Sequence, residues 1–135
     1  MKIAVDFDGT IVEMKYPHIG EERPFAFQTL KMLQRKGHLL ILWTYRKGKE
    51  LEEAVEYCRQ NGLEFYAVNQ SYPEEQFDGS VSRKIDADLF IDDCNIGGIK
   101  SWGEIYQMIH PSEGKPTYKG EPKKKKSFMK KMFGN

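Results

Sequence analysis

The stretch KIAVDFDGT, residues 2–10, decides the fold of this chain. An uninterrupted apolar run leads into two aspartates and a glycine, and such runs are typical of strands buried on both faces of a parallel sheet. Three further apolar runs follow, at residues 38–43, 63–68 and 88–91. The pattern therefore predicts four short strands, the first of which ends at a pair of carboxylates.

Segments with helical periodicity separate these runs. Apolar residues recur at i, i+3, i+4 and i+7 after Pro24 and again after Gly48, and a last helix is predicted over residues 101–109. Gly37 and Gly62 stand where a left-handed C-terminal cap is expected. The alternation of strand and helix predicts an α/β fold with a mainly parallel sheet.

The composition indicates one domain. The chain has 135 residues, of which 39% are hydrophobic and 30% are charged. We expect neither membrane insertion nor a cleaved export signal, because no stretch reaches the roughly 18 apolar residues of a membrane helix. Cys58 and Cys94 have no metal-ligand spacing, so neither a zinc site nor a disulfide framework is indicated. A reducing cytoplasm is the expected compartment.

Charge is distributed unevenly along the chain. Residues 111–135 contain eight lysines and two glutamates, which leaves a net charge of −5 on residues 1–110 although the whole chain carries +1. We interpret residues 1–110 as the folded domain and residues 111–135 as a basic, flexible tail. A body this acidic is a poor match for nucleic acid, so a nucleic acid or an acidic lipid would contact only the tail.

Polar residues follow the predicted strands, at the edge of a parallel sheet where ligands bind. If the first and fourth strands are neighbours, up to four carboxylates crowd this edge. Oxygen ligands without nearby histidines favour Mg²⁺. Gly9 permits a tight turn whose backbone amides suit an anion. The residues at this edge are Asp6, Asp8, Thr44, Asn69, Gln70, Asp92 and Asp93.

The stretch DFDGT after its strand resembles motif one of the haloacid dehalogenase superfamily, Asp-x-Asp-x-Thr. The other motifs occur in order: Thr44 after HLLILW, Lys84 in SRKIDAD, and the acidic pair in LFIDD. The resemblance covers about residues 1–110 and implies a Rossmann-like three-layer fold. The chain has no room for a cap domain. A capless site is open, so it admits a bulky phosphoester or uses a neighbouring subunit as its lid.

The resemblance implies a Mg²⁺-dependent phosphomonoester hydrolase that forms an aspartyl phosphate. Asp6 is then the nucleophile and Asp8 the general acid and base. The implied metal ligands are the Asp6 carboxylate, the Asp8 backbone carbonyl and Asp93, with Asp92 behind them. Asp8 also separates this chain from the dehalogenase members, which lack that acid.

Phosphate binding is expected from three places in the motifs. Thr44 would donate its hydroxyl, the amides around Gly9 would contribute N–H groups, and Lys84 would neutralise the transferred phosphoryl group. Arg83 is an alternative to Lys84. Two classes of function stay open beside the hydrolase: a phosphotransferase, and a non-catalytic binding or scaffold module that uses the basic tail.

Several nearby residues allow two interpretations. Arg46 contacts the leaving group or is an ordinary surface arginine. Tyr16 and His18 edge the cleft or only pack within the flap, residues 11–23. His38 and His110 are interpreted as structural, because no carboxylate or cysteine companion accompanies either of them in sequence.

Overall fold

The structure is a computed structural model, and it describes residues 1–120. Its elements in chain order are β1 (Lys2–Val5), α1 (Ala26–Arg35), β2 (Leu39–Leu42), α2 (Gly48–Gln60), β3 (Ala67–Val68), β4 (Leu89–Ile91), α3 (Trp102–Ile109) and a 3₁₀ turn (Pro111–Glu113). This order confirms the predicted α/β fold. None of the helices within the described range is both long enough and apolar enough to cross a bilayer.

The four strands form one parallel sheet in the order β3-β2-β1-β4. β1 is central, and its last residue, Val5, lies between Leu42 of β2 and Ile91 of β4. The carboxyl ends of these three strands therefore meet at one edge of the sheet. This register places Asp6 next to Asp92, as the sequence predicts for neighbouring first and fourth strands.

The buried residues of all three helices belong to one apolar cluster with sheet residues such as Ile3 and Leu40. The chain steps from β1 to β2 to β3 in one direction, and right-handed crossovers in one direction put their helices on the same face. The step back from β3 to β4 crosses the other face, where Ile85 packs against Ala4. The third layer of this Rossmann-like fold is thus the irregular segment 69–88.

All four strands are shorter than the apolar runs that predict them, and the first and third have clear local causes. β1 stops before Phe7 because the chain turns there, and three amides up to that of Val12 donate to the Phe7 carbonyl. The third strand comprises only Ala67–Val68. Leu63 does not reach the sheet, since its amide donates to the Cys58 carbonyl and closes the end of α2.

The first part of the predicted tail contacts the domain. The ring of Tyr118 stacks on that of Phe25, with centroids 4.4 Å apart, and its hydroxyl is hydrogen-bonded to the hydroxyl of Thr29. Residues 111–120 therefore lie against the helical layer. Residues 121–135, which hold six of the eight lysines, lie outside the described residues, and a basic flexible tail stays a prediction there.

Candidate active site

A cavity of about 700 Å³ opens at the carboxyl edge of the sheet. One wall consists of acidic residues and a thiol contributed by the segments that follow β1 and β4. The rest of the lining comes from the flap and from the residues after β2. The acidic wall contains Asp6, Asp8, Asp92, Asp93 and Cys94, and the rest of the lining contains Met14, Tyr16, Trp43, Thr44 and Tyr45.

Gly9 allows the two acidic segments to approach each other. Its φ is +83°, which glycine adopts without strain, and its amide donates to the Val12 carbonyl at 2.8 Å. A Cβ at this position would lie 2.2 Å from Oδ2 of Asp93. The sequence predicts the turn at Gly9 correctly, but the expected contact of the Gly9 amide with phosphate is wrong, because that N–H is already bound within the turn. Asp93 fills the space that a side chain at Gly9 would need.

Thr10 connects the two strands that carry the acids. Its hydroxyl donates to Oδ2 of Asp6 at 3.0 Å and accepts from the Asp93 amide at 3.0 Å. Its carbonyl accepts from the Trp102 indole at 3.1 Å and from Arg23 at 3.3 Å. Thr10 is fully buried. It therefore fixes the distance between Asp6 and Asp93 and ties both to the helical layer.

Crowding changes the acidity of Asp6. Burial, a hydrogen bond with Asp93 and the charge of Asp92 raise the pKa of Asp6 to about 8, against the lowering effect of Thr10 and the backbone. The Asp6 carboxyl therefore keeps its proton to a higher pH than an exposed aspartate does. An added cation would compete with that proton for the same oxygens.

The donor set fits a hard divalent cation. Ligand atoms of Asp92, Asp93 and Cys94 lie within 4.8 Å of one another, and Asp6 is hydrogen-bonded to Asp93. The charges of Asp93 and Asp92 raise the pKa of the Cys94 thiol, which disfavours the thiolate as a ligand. Carboxylate oxygens suit Mg²⁺. None of the described residues that line the cavity is a lysine or an arginine, so a phosphate dianion would need such a cation to enter.

Asp8 is paired with Arg46, which is buried and not a surface residue. Nε of Arg46 donates to Oδ2 of Asp8 at 2.7 Å, and Nη2 donates to Oδ1 at 2.8 Å. The same guanidinium donates to the backbone carbonyls of Pro17, His18 and Glu50 at 2.8 to 3.2 Å. Arg46 therefore joins the loop after β1, the flap and α2, and the interpretation as a surface arginine is wrong.

Thr44 lies in the cavity, at the end of β2. Its amide donates to Oδ1 of Asn69 at 2.8 Å, and its hydroxyl oxygen accepts from the Arg46 amide at 3.2 Å. The hydroxyl proton remains available to a ligand, which is compatible with the predicted contact to phosphate. Asn69 adopts a φ of +54° directly after β3, so it supports Thr44 from the next strand along.

The structure does not bring Lys84 into this cavity. Lys84 and Arg83 are both exposed within the crossover segment, and the Lys84 amide donates to the Ser82 hydroxyl at 3.1 Å. The next residue, Ile85, is buried under the sheet and holds the segment on that face. A role for Lys84 in phosphate binding stays a prediction.

The flap residues divide between the two interpretations that the sequence left open. Tyr16 lines the cavity and stands in edge contact with Tyr45, with ring centroids 6.3 Å apart. His18 is exposed, and its backbone carbonyl accepts a hydrogen bond from Arg46.

The sequence did not indicate the contacts that two buried residues, Thr10 and Arg46, make in the site. Thr10 is the last residue of the DFDGT motif, and this position is the sequence signal that could have indicated its role in the site.

A parallel sheet with carboxylates from its central and edge strands at one end defines an α/β protein of the Rossmann-like kind. The chain is 62% identical to a conserved protein from Bacteroides thetaiotaomicron whose structure has been solved. The match covers 83% of this chain and 91% of that one, with a TM-score of 0.79. The chain belongs to the same family as that conserved protein. No protein-family model and no curated protein matches it.

Proposed function

We propose that this chain is a capless, Mg²⁺-dependent phosphomonoester hydrolase of the haloacid dehalogenase superfamily. One observation carries the proposal: the Thr10 hydroxyl lies within 3.0 Å of Asp6 and 3.4 Å of Asp93, at the ends of adjacent parallel strands. A purely structural turn has no need to hold two half-buried carboxylates close to each other. A nucleophile and a metal ligand must be this close.

The position of each acid suggests its role in binding the metal ion. Asp6, the Asp8 carbonyl and Asp93 would hold Mg²⁺, with Asp92 beside them. When bound, the ion supplies the positive charge that lets an anionic carboxylate approach a phosphate. Thr44 faces the same cavity and would donate its hydroxyl to a phosphate oxygen.

The reaction has two steps. A carboxylate oxygen of Asp6 attacks phosphorus while the bond to the ester oxygen breaks, and the leaving oxygen takes a proton from Asp8 or from solvent. Water then attacks the aspartyl phosphate. In that second step Asp8 accepts a proton from the water, and inorganic phosphate and free Asp6 result.

One observation favours a second candidate, a non-catalytic binding module. Both carboxylate oxygens of Asp8 already accept hydrogen bonds from Arg46. Because both oxygens are occupied, either proton-transfer role of Asp8 requires one of these bonds to break. The two candidates therefore differ in whether Asp8 gives up and accepts a proton during a reaction.

Rapid-quench mass spectrometry with para-nitrophenyl phosphate and Mg²⁺ tests the proposal. The Asp8→Asn protein should accumulate a phosphoryl adduct, because an activated leaving group needs little protonation whereas hydrolysis slows by roughly 10²- to 10⁴-fold without the base. Asp6→Asn should form no adduct. Asp78→Asn removes an exposed carboxylate from the crossover segment and should behave like the wild type. Absence of Mg²⁺-dependent phosphate release from the wild type would favour the binding module.

A further inference from the structure

The cavity lining that comes from the flap and from the residues after β2 is largely apolar. Tyr45 is 90% exposed, Met14 is 60% exposed and Tyr16 is 45% exposed, and all three line the cavity together with the half-buried Trp43. Single exposed apolar side chains are common on proteins, but several that share one cavity mark a binding surface. We define the aromatic wall as Tyr16, Trp43 and Tyr45.

One member of the aromatic wall, Tyr16, is held in place by Arg46. The guanidinium of Arg46 lies 5.2 Å from the centroid of the Tyr16 ring, and it also donates to the carbonyls of Pro17 and His18, the two residues that follow Tyr16. Because Arg46 is buried and bound to Asp8, this part of the flap is anchored to the acidic wall. Tyr45 meets Tyr16 edge-on, at 70°, and is otherwise open to solvent.

We infer that the alcohol of the phosphomonoester carries a planar aromatic ring, which packs on Tyr16 and Tyr45 while the phosphate meets the carboxylate edge. This inference rests on the proposed function and names its substrate class. Aromatic side chains recognise ring faces and edges. The polar groups of Thr44 on this wall are engaged by Asn69 and Arg46 except for one hydroxyl proton, so few partners remain for the hydroxyls of a polyol.

Binding of two phosphonates in the presence of Mg²⁺ tests the inference without turnover. Benzylphosphonate and cyclohexylmethylphosphonate have the same charge and nearly the same size, and they differ in aromaticity. We expect calorimetry to show that the aromatic compound binds roughly 2- to 12-fold more tightly. Equal affinities would overturn the inference, and so would failure of both compounds to bind.

Variants of one exposed residue locate the contact. Tyr45→Ala should abolish the preference for benzylphosphonate, whereas Tyr45→Phe should keep it. Tyr66→Ala is the matched control, because Tyr66 is another partly exposed tyrosine whose amide donates to Leu40 at the opposite end of the strands. A preference that persists in both Tyr45→Ala and Tyr16→Ala would contradict the assignment to this wall.

Hydrolysis of the matching esters separates the inference from the proposed function. Benzyl phosphate and cyclohexylmethyl phosphate both release primary alcohols of similar basicity, so a difference in kcat/KM reports contact with the ring. Equal turnover of both would overturn the inference and leave the hydrolase standing. A preference for benzylphosphonate without turnover of either ester would support the aromatic contact and overturn the hydrolase. Thymidine monophosphate and phosphotyrosine, added as further substrates, distinguish a nucleobase from a phenol ring as its source.

Discussion

Arg46 donates to both carboxylate oxygens of Asp8, and the distances are 2.7 and 2.8 Å. The two residues come from different loops at the carboxyl edge of the sheet, and the guanidinium is also bound to three backbone carbonyls. This pair places an internal positive charge beside a cavity whose described lining residues include no basic side chain. Arg46 therefore binds both Asp8 and the backbone of the flap.

Replacing Arg46 by methionine should destabilise the protein strongly. The change leaves Asp8 without its partner in a largely buried position and frees three carbonyls, and breaking such a pair lowers the free energy of unfolding by about 3–5 kcal/mol. Arg59→Met removes an exposed pair with Glu56 and should have a much smaller effect. Urea denaturation of both variants measures the difference. Similar losses would show that the Asp8 pair is no stronger than a surface one.

Gly9→Ala should weaken Mg²⁺ binding as well as stability. The new Cβ would need the position of Oδ2 of Asp93, so the carboxylate must move, and a displaced ligand typically reduces metal affinity by roughly 10- to 100-fold. Gly37→Ala is the matched control, because Gly37 has a φ of +92° but nothing within 4 Å of the added atom. Both variants should lose about 1–2 kcal/mol of stability from backbone strain. Calorimetric titration should separate them, and equal Mg²⁺ affinities would contradict the close approach.

Mg²⁺ affinity should rise with pH and level off above about 8. The pKa of Asp6 is raised to about 8, so at lower pH the ion must displace a proton from Asp6. Competition with one proton changes the apparent affinity by about tenfold per pH unit. Calorimetry at pH 7 in two buffers of different ionisation enthalpy should detect the released proton. In Asp6→Asn the pH dependence should disappear, and a wild-type affinity that is constant from pH 6 to 8 would refute the raised pKa of Asp6.

Stability should fall when the pH drops below about 6.5 because of His38. Loss of hydration, then the charge of the Met1 amino group, then His110 lower the pKa of His38 below its usual 6.5. The unfolded chain therefore binds this proton at a higher pH than the folded chain does, and acidification favours unfolding. Thermal unfolding at pH 7.5 and 5.5 should show a smaller loss in His38→Gln. His18→Gln, at an exposed position in the flap, should lose as much as the wild type.

The fold was predictable because its signals are local. The apolar runs, the helical periodicity after Pro24 and the glycine at position 37 each act within a few residues of the chain. The meeting of Asp6 with Asp93 was also predictable, since strand ends in a parallel sheet share an edge. The unexpected feature was the layer over the second face, where segment 69–88 has no periodic pattern to read.

The rest of the site depends on contacts that are distant in sequence. Arg46 pairs with Asp8 across 38 positions, and nothing at position 46 distinguishes a buried arginine from a surface one. Thr10 is part of a recognised motif, but its two hydrogen bonds depend on how closely Gly9 lets the strands approach. Lys84 occupies the expected place in the order of motifs, yet its position in space follows the path of an irregular crossover.

The strand order has a consequence for how the site is made during synthesis. β1 leaves the ribosome first and β4 last, although the two are neighbours in the sheet. A nascent chain that already contains Asp6 and Asp8 therefore keeps one edge of β1 open until residues beyond 93 have emerged. The acidic residues that repel one another are brought together only when the helical layer is nearly complete. The nascent protein thus cannot assemble the acidic cluster ahead of the domain that supports it.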